Sequence, residues 1–595
     1  MKEKIYLNLF FIVLVFLSIQ FARGYVPVVQ ETHFYSSKII DYKENLDLAS
    51  YVYLFLRTPT YNFFLDFIFN DRVLFFIFSY LGPLLLIVNI YFLMWLNTKD
   101  NFFSLIVALF FLSIPVLVKL FNLYTEINFY EAISFIYPRF DIWFRTFSVR
   151  QIHGIVFLIS LMFLYRKNYL WVIFLSILNL IIHPNSAVIT NSFFAFYFLM
   201  SSFLLNQKNL KYFISILLVT IFYAYYKISL IDSIQFESEI SSQFWYRSLI
   251  RDEVDDFSIL YRFFNNKLIF VFYFLLFTFI VYRIFGKKEK STSALLIFSI
   301  LFIYFLFFLI EILINYFNFY FLANIFIPIQ PGWKTVGYSI FPIFIYFYKE
   351  KIFLNKGFSK TIFYILPVLI LFFLYYGFSN NLNKFSEFFK NISTKNDSYA
   401  YNLLISKNFD FAREVYDISN KEIEEIDFEN VFLKRDYNKI LTIEKKNYLK
   451  NFKKKFNNDK CLKNLTLFDD FIDDYEGLIV PPYFYHFRDL FYKKNIFYTE
   501  HHDGNLSMGN IKFFSIFNER MDSLLDVSYL DLPPKTSGFL PTYLRNIYFD
   551  LEKEDFMILK SKFKNYNYVI TEEDHEVIGL NKIKEGKCYN LYEIK

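Results

Sequence analysis

Residues 293–314 read S-A-L-L-I-F-S-I-L-F-I-Y-F-L-F-F-L-I-E-I-L-I, with one charged side chain, Glu311. A hydrocarbon core about 30 Å thick is crossed by about 20 apolar residues in a helix, so this run has the length and polarity of a membrane span. Runs that meet or approach this standard lie near 5–22, 73–96, 101–121, 151–165, 169–183, 187–205, 211–231, 267–285, 335–348 and 361–378. The runs 151–165, 169–183 and 335–348 are short, and the last has an alternative start before Pro328, broken across Pro328–Pro331. The expected fold is mainly α, a polytopic helical membrane bundle of about 11 spans over residues 1–378. Residues 1–26 read as the first span, with a cleaved signal peptide ending near Ala22-Arg23-Gly24 as the alternative.

The rest of the chain has another character. Residues 379–595 carry 32 Lys/Arg and 35 Asp/Glu, against 30 and 21 in the 378 residues before them. A water-soluble portion therefore follows the membrane portion. Residues 379–465 read as charged helices, and 466–595 as a small α/β domain with strand candidates at Leu478–Val480, Asn495–Thr499, Tyr566–Thr571 and Cys588–Ile594. The 55% hydrophobic content excludes collagen, disorder and an ordinary soluble enzyme. Two cysteines, Cys461 and Cys588, neither knit a secreted fold nor form a metal cluster by themselves. The 85 Phe against 14 Gly follow from an AT-rich coding sequence rather than from an aromatic function.

Loop charge sets the expected orientation. With the amino terminus in the cytoplasm, the inner segments are Met1–Lys4, Asn97–Asn101, Arg166–Lys167, Asn206–Lys211, Arg283–Lys290 and Lys349–Lys360. Together they carry 15 Lys/Arg against 4 acids. The outer loop 23–72 has 5 basic residues and 6 acids, and the loops 122–150 and 232–266 are also long. An odd span count then leaves the carboxyl-terminal domain outside a bacterial cytoplasmic membrane.

Chemistry-bearing residues gather on the outer side. Glu31 and His33 follow the first span, while Arg145, Arg150 and His153 open another. His183 precedes Pro184 at a helix end, and Gln330 and Lys334 precede a further span. Each has an ordinary alternative: a solvated loop acid, an arginine on lipid phosphate, a helix terminator. Glu311 stands in an apolar run, where an acid defaults to a functional role unless it leans out to the interface. Walker, dinucleotide-binding, HExxH and GxSxG motifs are all lacking, and nothing in the charge pattern points to nucleic acid. The pair His501-His502 beside Asp503 is a weak metal candidate, so a divalent ion enters only as one option for the cofactor.

Taken in order, these features resemble a group of uncharacterised bacterial multi-pass proteins related to the GT-C glycosyltransferases. The resemblance rests on Gln30, Glu31 and His33 after the first span, Arg145 and Arg150, His183-Pro184, and Gln330 with Lys334. In the soluble part it rests on Leu478–Val480 with Pro481-Pro482, Phe487-Arg488 and Asn518-Glu519-Arg520. It implies transfer of a sugar from a polyprenyl-phosphate donor to a glycan, lipid or protein acceptor at the outer membrane face. Glu31 would be the base, with His33, Arg145, Arg150, His183, Gln330 and Lys334 binding substrate. Many members carry two acids where this chain has Gln30-Glu31-Thr32-His33, so a non-catalytic role in envelope assembly stays open. A transporter or flippase is the third reading, although no paired interrupted spans are visible in the two halves.

Overall fold

The computed structural model describes residues 2–22, 72–124, 149–205, 208–231, 267–317, 336–350, 477–481, 496–497, 519–526, 547–586 and 589–595. They are mostly helical. The bundle helices are α1 (Lys2–Ala22), α2 (Arg72–Thr98), α3 (Asn101–Tyr124), α4 (Val149–Tyr165), α5 (Tyr169–Ile182), α6 (Pro184–Leu205), α7 (Leu210–Ile231), α8 (Lys267–Val281), α9 (Thr292–Phe317) and α10 (Ile340–Lys349). A π turn, Tyr282–Gly286, extends α8, and a 3₁₀ turn, Val336–Ser339, leads into α10. Among the described residues three helical stretches are long and apolar enough to cross a membrane: Leu81–Thr98, Pro184–Leu204 and Thr292–Ile314. The expected segment 361–378 and the linker 379–465 lie outside the described residues.

Apolar runs become helices here because each backbone N–H and C=O must find its partner within the segment. Polar side chains inside them obey the same demand. Ser160, Ser192 and Ser299 donate to the carbonyls of Val156, Val188 and Leu295 at 2.7–2.8 Å, one turn back. Helix α2 packs on α3 and α4, α6 on α5, α7 and α9, and α9 on α8 and α10. One continuous core fills the bundle, with Ile87, Leu112, Leu158, Phe193, Leu295 and Phe341 fully buried. Outward faces remain apolar: Leu170, Trp171, Phe174 and Ile181 on α5 are exposed, as are Ile214, Leu218 and Phe222 on α7. A large bare apolar face of this kind suits lipid rather than water.

Tight loops close one end of the bundle, and three of them turn through lysines with positive φ: Lys99 (58°), Lys167 (58°) and Lys288 (53°). Glycine or asparagine is the usual choice at such a helix exit. A lysine accepts some backbone strain but sets its cation beside the negative end of the preceding helix. Asp100 then caps α3, its carboxylate accepting the N–H groups of Phe102 and Phe103 at 2.9 and 3.0 Å.

Toward the carboxyl terminus, five strands form one sheet in the order β2-β1-β3-β5-β4. They are β1 (Leu478–Ile479), β2 (Ile496–Phe497), β3 (Tyr568–Glu572), β4 (Asn581–Glu585) and β5 (Tyr589–Glu593). Strand β1 runs parallel to β2 and β3, and β5 runs antiparallel to β3 and β4. The helix α11 (Lys553–Lys562) precedes β3, and the buried Tyr548 hydroxyl donates to the Ile570 carbonyl at 2.8 Å.

Beside this sheet His575 is 5% exposed, packed on Phe549 and Tyr548, and its Nε2 lies 3.0 Å from the Leu551 carbonyl. A carbonyl only accepts, so Nε2 carries the proton. Burial pushes the imidazole below its ordinary pKa; the Leu551 carbonyl, Glu572 and Asp550 offset part of that shift. The folded state therefore binds fewer protons than the unfolded chain as pH falls through about 6.5, and stability drops in that direction. In thermal unfolding of the full-length protein, the transition of this region should fall between pH 7.5 and 5.5. In His575→Gln, which keeps a donor for Leu551, that fall should shrink.

Candidate functional site

Two polar clusters mark opposite ends of the bundle. The first grows from α4, the α5–α6 junction and the 3₁₀ turn before α10. His153, 1% exposed, pairs through Nε2 with the Tyr338 hydroxyl at 3.2 Å. Its ring centroid lies 6.0 Å from that of His183. The Tyr338 ring is wedged against Phe157 and Phe193, which fixes where its hydroxyl points.

His183 is held by its backbone and its ring together. Its N–H donates to the Asn179 carbonyl at 2.9 Å and so ends α5. Its own carbonyl accepts the Ala187 N–H at 3.0 Å, and Nδ1 accepts the Ser186 N–H at 3.2 Å. One residue thus caps both helices. Pro184 takes the first position of α6, where a missing N–H is harmless. Because Nδ1 accepts, a neutral ring carries its proton on Nε2.

Below this junction the helices keep more polar groups. Asn179 is 1% exposed, and neither its amide nitrogen nor its amide oxygen has a hydrogen-bond partner among the described residues. The Ser176 hydroxyl and the Asn191 Oδ1 are likewise buried without a partner among the described residues. Asn191 Nδ2 bridges three helices, reaching the Ser176 carbonyl at 3.5 Å and Thr220 Oγ1 at 3.2 Å. Leaving one buried donor or acceptor unmade costs about 1–3 kcal/mol, so this concentration on α5 and α6 is not neutral for folding. Glu311 is also buried, at 1% exposure.

The second cluster ties the short loops together. Tyr348 donates to Asp100 at 3.0 Å and Tyr346 to Glu289 at 2.9 Å. Arg283 bonds Glu289 at 2.7 Å and Glu350 at 2.6 Å, and Tyr165 pairs with Ser293 at 3.0 Å. Asn8 reaches the Asn101 carbonyl at 3.3 Å. Five chain segments therefore meet at one end. Along α4, His153 and Tyr165 are twelve residues apart, about 18 Å, which separates the two clusters. Asp100, Glu289 and Glu350 are all occupied by these contacts, so lysines dominate the remaining charge at this end.

Of the residues expected to act, His183 stands at the helix break beside His153. Arg150 belongs to the first turn of α4 by its backbone, and its side chain lies outside the described residues, as do Glu31, His33, Arg145, Gln330 and Lys334. Sequence reasoning passed over Tyr338, Asn179 and Asn191. Asn179 had a readable signal, an amide one turn before His183 in an otherwise apolar run. Tyr338 had none, since one tyrosine among 49 marks nothing. No group of three or more His, Cys, Asp or Glu suited to a metal ion occurs among the described residues. No known protein family, characterised protein or solved structure matches the chain.

Proposed function

We propose that this chain is a GT-C-like membrane glycosyltransferase with about eleven spans in a bacterial cytoplasmic membrane. In this reading its amino terminus is cytoplasmic and its carboxyl-terminal α/β domain extracytoplasmic. It transfers a sugar from a polyprenyl-phosphate donor to an envelope glycan, lipid or protein at the outer face. The observation that carries the reading is the convergence of His153, His183 and Tyr338. They meet at the end of the bundle opposite the lysine-rich loops, where the positive-inside rule puts the outer face. Arg150 lies one turn before His153, and Lys334 lies two residues before Val336 in sequence, so two cations belong to chain segments leading into this cluster.

The chemistry follows from the charges. The Glu31 carboxylate takes the proton of the acceptor hydroxyl while that oxygen attacks the anomeric carbon. The anomeric carbon–oxygen bond to phosphate breaks, and polyprenyl phosphate leaves with the electron pair. Arg145, Arg150 and Lys334 stabilise the charge developing on that phosphate. His33, His183 and Gln330 orient the sugar, and Glu31 later returns its proton to water.

Protein in nanodiscs, given a panel of labelled polyprenyl-phosphate sugars and envelope acceptors, should transfer label. Glu31→Gln should lower that rate at least about a hundredfold with the protein still folded, the range expected for loss of a general base. Undiminished transfer by Glu31→Gln refutes the assigned base. No transfer by the unmodified protein favours a non-catalytic part in envelope assembly.

A further inference from the structure

Contacts at the lysine-rich end fix one level across the bundle. Tyr165 pairs with Ser293, and Lys349 Nζ lies 5.9 Å from the Tyr165 ring centroid. Tyr169 packs on Phe198 and Tyr212 at centroid distances of 5.1 and 5.2 Å. Measured from this level, α4 begins at Val149, about 24 Å away, and α5 reaches His183 in about 21 Å. From Phe198 back to Pro184, α6 also covers about 21 Å, and the 3₁₀ turn with α10 covers about 21 Å. Other helices run on past this distance: α9 extends about 36 Å beyond Ser293, and α7 about 28 Å beyond Tyr212. Four elements therefore stop about 6–10 Å short of the far side of a hydrocarbon core about 30 Å thick. Their common end holds His153, His183 and Tyr338.

On α5 the shortened span is bare. Leu170, Trp171, Phe174, Ile177 and Ile181 form one exposed apolar stripe, about 17 Å from first to last. Exposed Arg166 and Lys167, with Trp171 next to them, anchor one end of the stripe at the interface, so α5 cannot slide outward. At the other end stand His183 and Asn185, polar and half-buried. A span too short for its bilayer is accommodated by side chains reaching outward, by association with another copy, or by thinning of the bilayer. His183 cannot reach outward, because Nδ1 accepts the Ser186 N–H and its ring lies 6.0 Å from that of His153. Close pairing of membrane helices favours small residues, and the stripe has none. We infer that the bilayer is thinned against α5, so that phospholipid headgroups on the His183 side descend to the helix break. The partner of this face is the bilayer itself. Its placement rests on the membrane reading proposed above, and it brings a lipid-borne phosphate to the depth of His153, His183 and Tyr338.

The test uses full-length protein with Cys461→Ser and Cys588→Ser, in nanodiscs of dioleoyl phosphatidylcholine. One nitroxide-labelled cysteine is introduced at a time: Phe174→Cys or Ile181→Cys on α5, or Leu306→Cys on α9. Power saturation reads collisions with oxygen, which concentrates in hydrocarbon, and with a neutral nickel chelate, which stays in water and among headgroups. Ile181 and the exposed Leu306 lie at nearly equal distances from the lysine-rich end, about 18 and 20 Å, so an even bilayer gives both the same reading. Thinning at α5 should raise nickel collisions at position 181 at least about threefold over those at 306, with position 174 still rich in oxygen. Equal, oxygen-rich readings at 181 and 306 overturn the inference. So do low collisions with both reagents at 174 and 181, which mark a second copy on α5. Should the labelled variants fail to fold, the unmodified protein is unfolded in nanodiscs of monounsaturated phosphatidylcholines of increasing chain length. Its unfolding temperature should fall as the chains lengthen, and a flat or rising trend overturns the inference. Nickel-rich readings at 174 would remove the membrane reading as well. Sugar transfer that needs Glu31, in a protein with 181 in hydrocarbon, would keep the transferase and remove the thinning; thinning without transfer would do the reverse.

Discussion

Gly477→Ala is expected to dismantle the carboxyl-terminal sheet. Gly477 adopts φ +76°, a region that costs a residue bearing a side chain about 1–2 kcal/mol. The larger effect is steric. A Cβ there would stand 1.7 Å from the Asn565 carbonyl oxygen and 2.9 Å from the Tyr566 Cα. Both are backbone atoms and cannot rotate aside. The Gly477 carbonyl also accepts the N–H groups of Asn567 and Tyr568 at 3.0 and 3.1 Å, which start the β1–β3 pairing. Moving the strand apart to admit a methyl group breaks both bonds, for a total on the order of 4 kcal/mol or more, at the upper end for point mutations. Hydrogen exchange on the full-length chain should show lost protection across 568–572 and 589–593. Protection equal to that of the unmodified protein there would mean that the approach to Asn565 is relaxed in solution.

Arg520→Ala should cost about 3 kcal/mol or more in the same region, because a fully buried cation is held by specific partners. Its guanidinium lies 5.0 Å from the Phe497 ring and 5.6 Å from the Tyr566 ring, and one nitrogen donates to the Tyr566 hydroxyl at 2.9 Å. Phe497 belongs to β2, and Tyr566 stands just before β3, so one side chain joins the helical turn at 519–525 to both. Arg520→Lys should not restore stability, since an ammonium cannot stack between two rings while reaching the hydroxyl. Arg520→Met should recover part of the loss by refilling apolar volume. Proteolysis rates of the full-length variants, measured across denaturant, separate these cases. Full rescue by lysine would show that charge alone matters.

The sheet also marks where sequence patterns stop being informative. Leu478–Val480, the stretch at 495–499 and those near 566–571 and 588–594 stood out as short apolar runs between turn residues, and each holds a strand. Strand β4 did not stand out. Its sequence Asn-Lys-Ile-Lys-Glu has one apolar residue and no alternation, and it forms because β5 offers a free edge with which to pair. Likewise, Arg520 reads as one cation in a charged run. Its burial depends on Phe497 and Tyr566, which close around it only when β2 and β3 lie side by side.

In the bundle the division is similar. The length and apolarity of each helical segment are local properties, so the runs at 73–96, 187–205 and 293–314 were legible before any packing was known. The lysine bias of the short loops is equally local, and their meeting at one end follows once helices alternate in direction. His183 as a helix boundary was readable from Pro184. Its partnership with His153, thirty residues earlier, and the pairing of His153 with Tyr338, 185 residues later, were not. Those contacts depend on how α4, α5 and the turn before α10 rotate about their axes. That rotation is chosen by the interlocking of side chains from several helices at once, a sum over many weak dispersion contacts. The sequence by itself determined which segments are helical and how charge is distributed along them. Only the tertiary structure decided which polar side chains share an interior, because that depends on neighbours far apart in the chain.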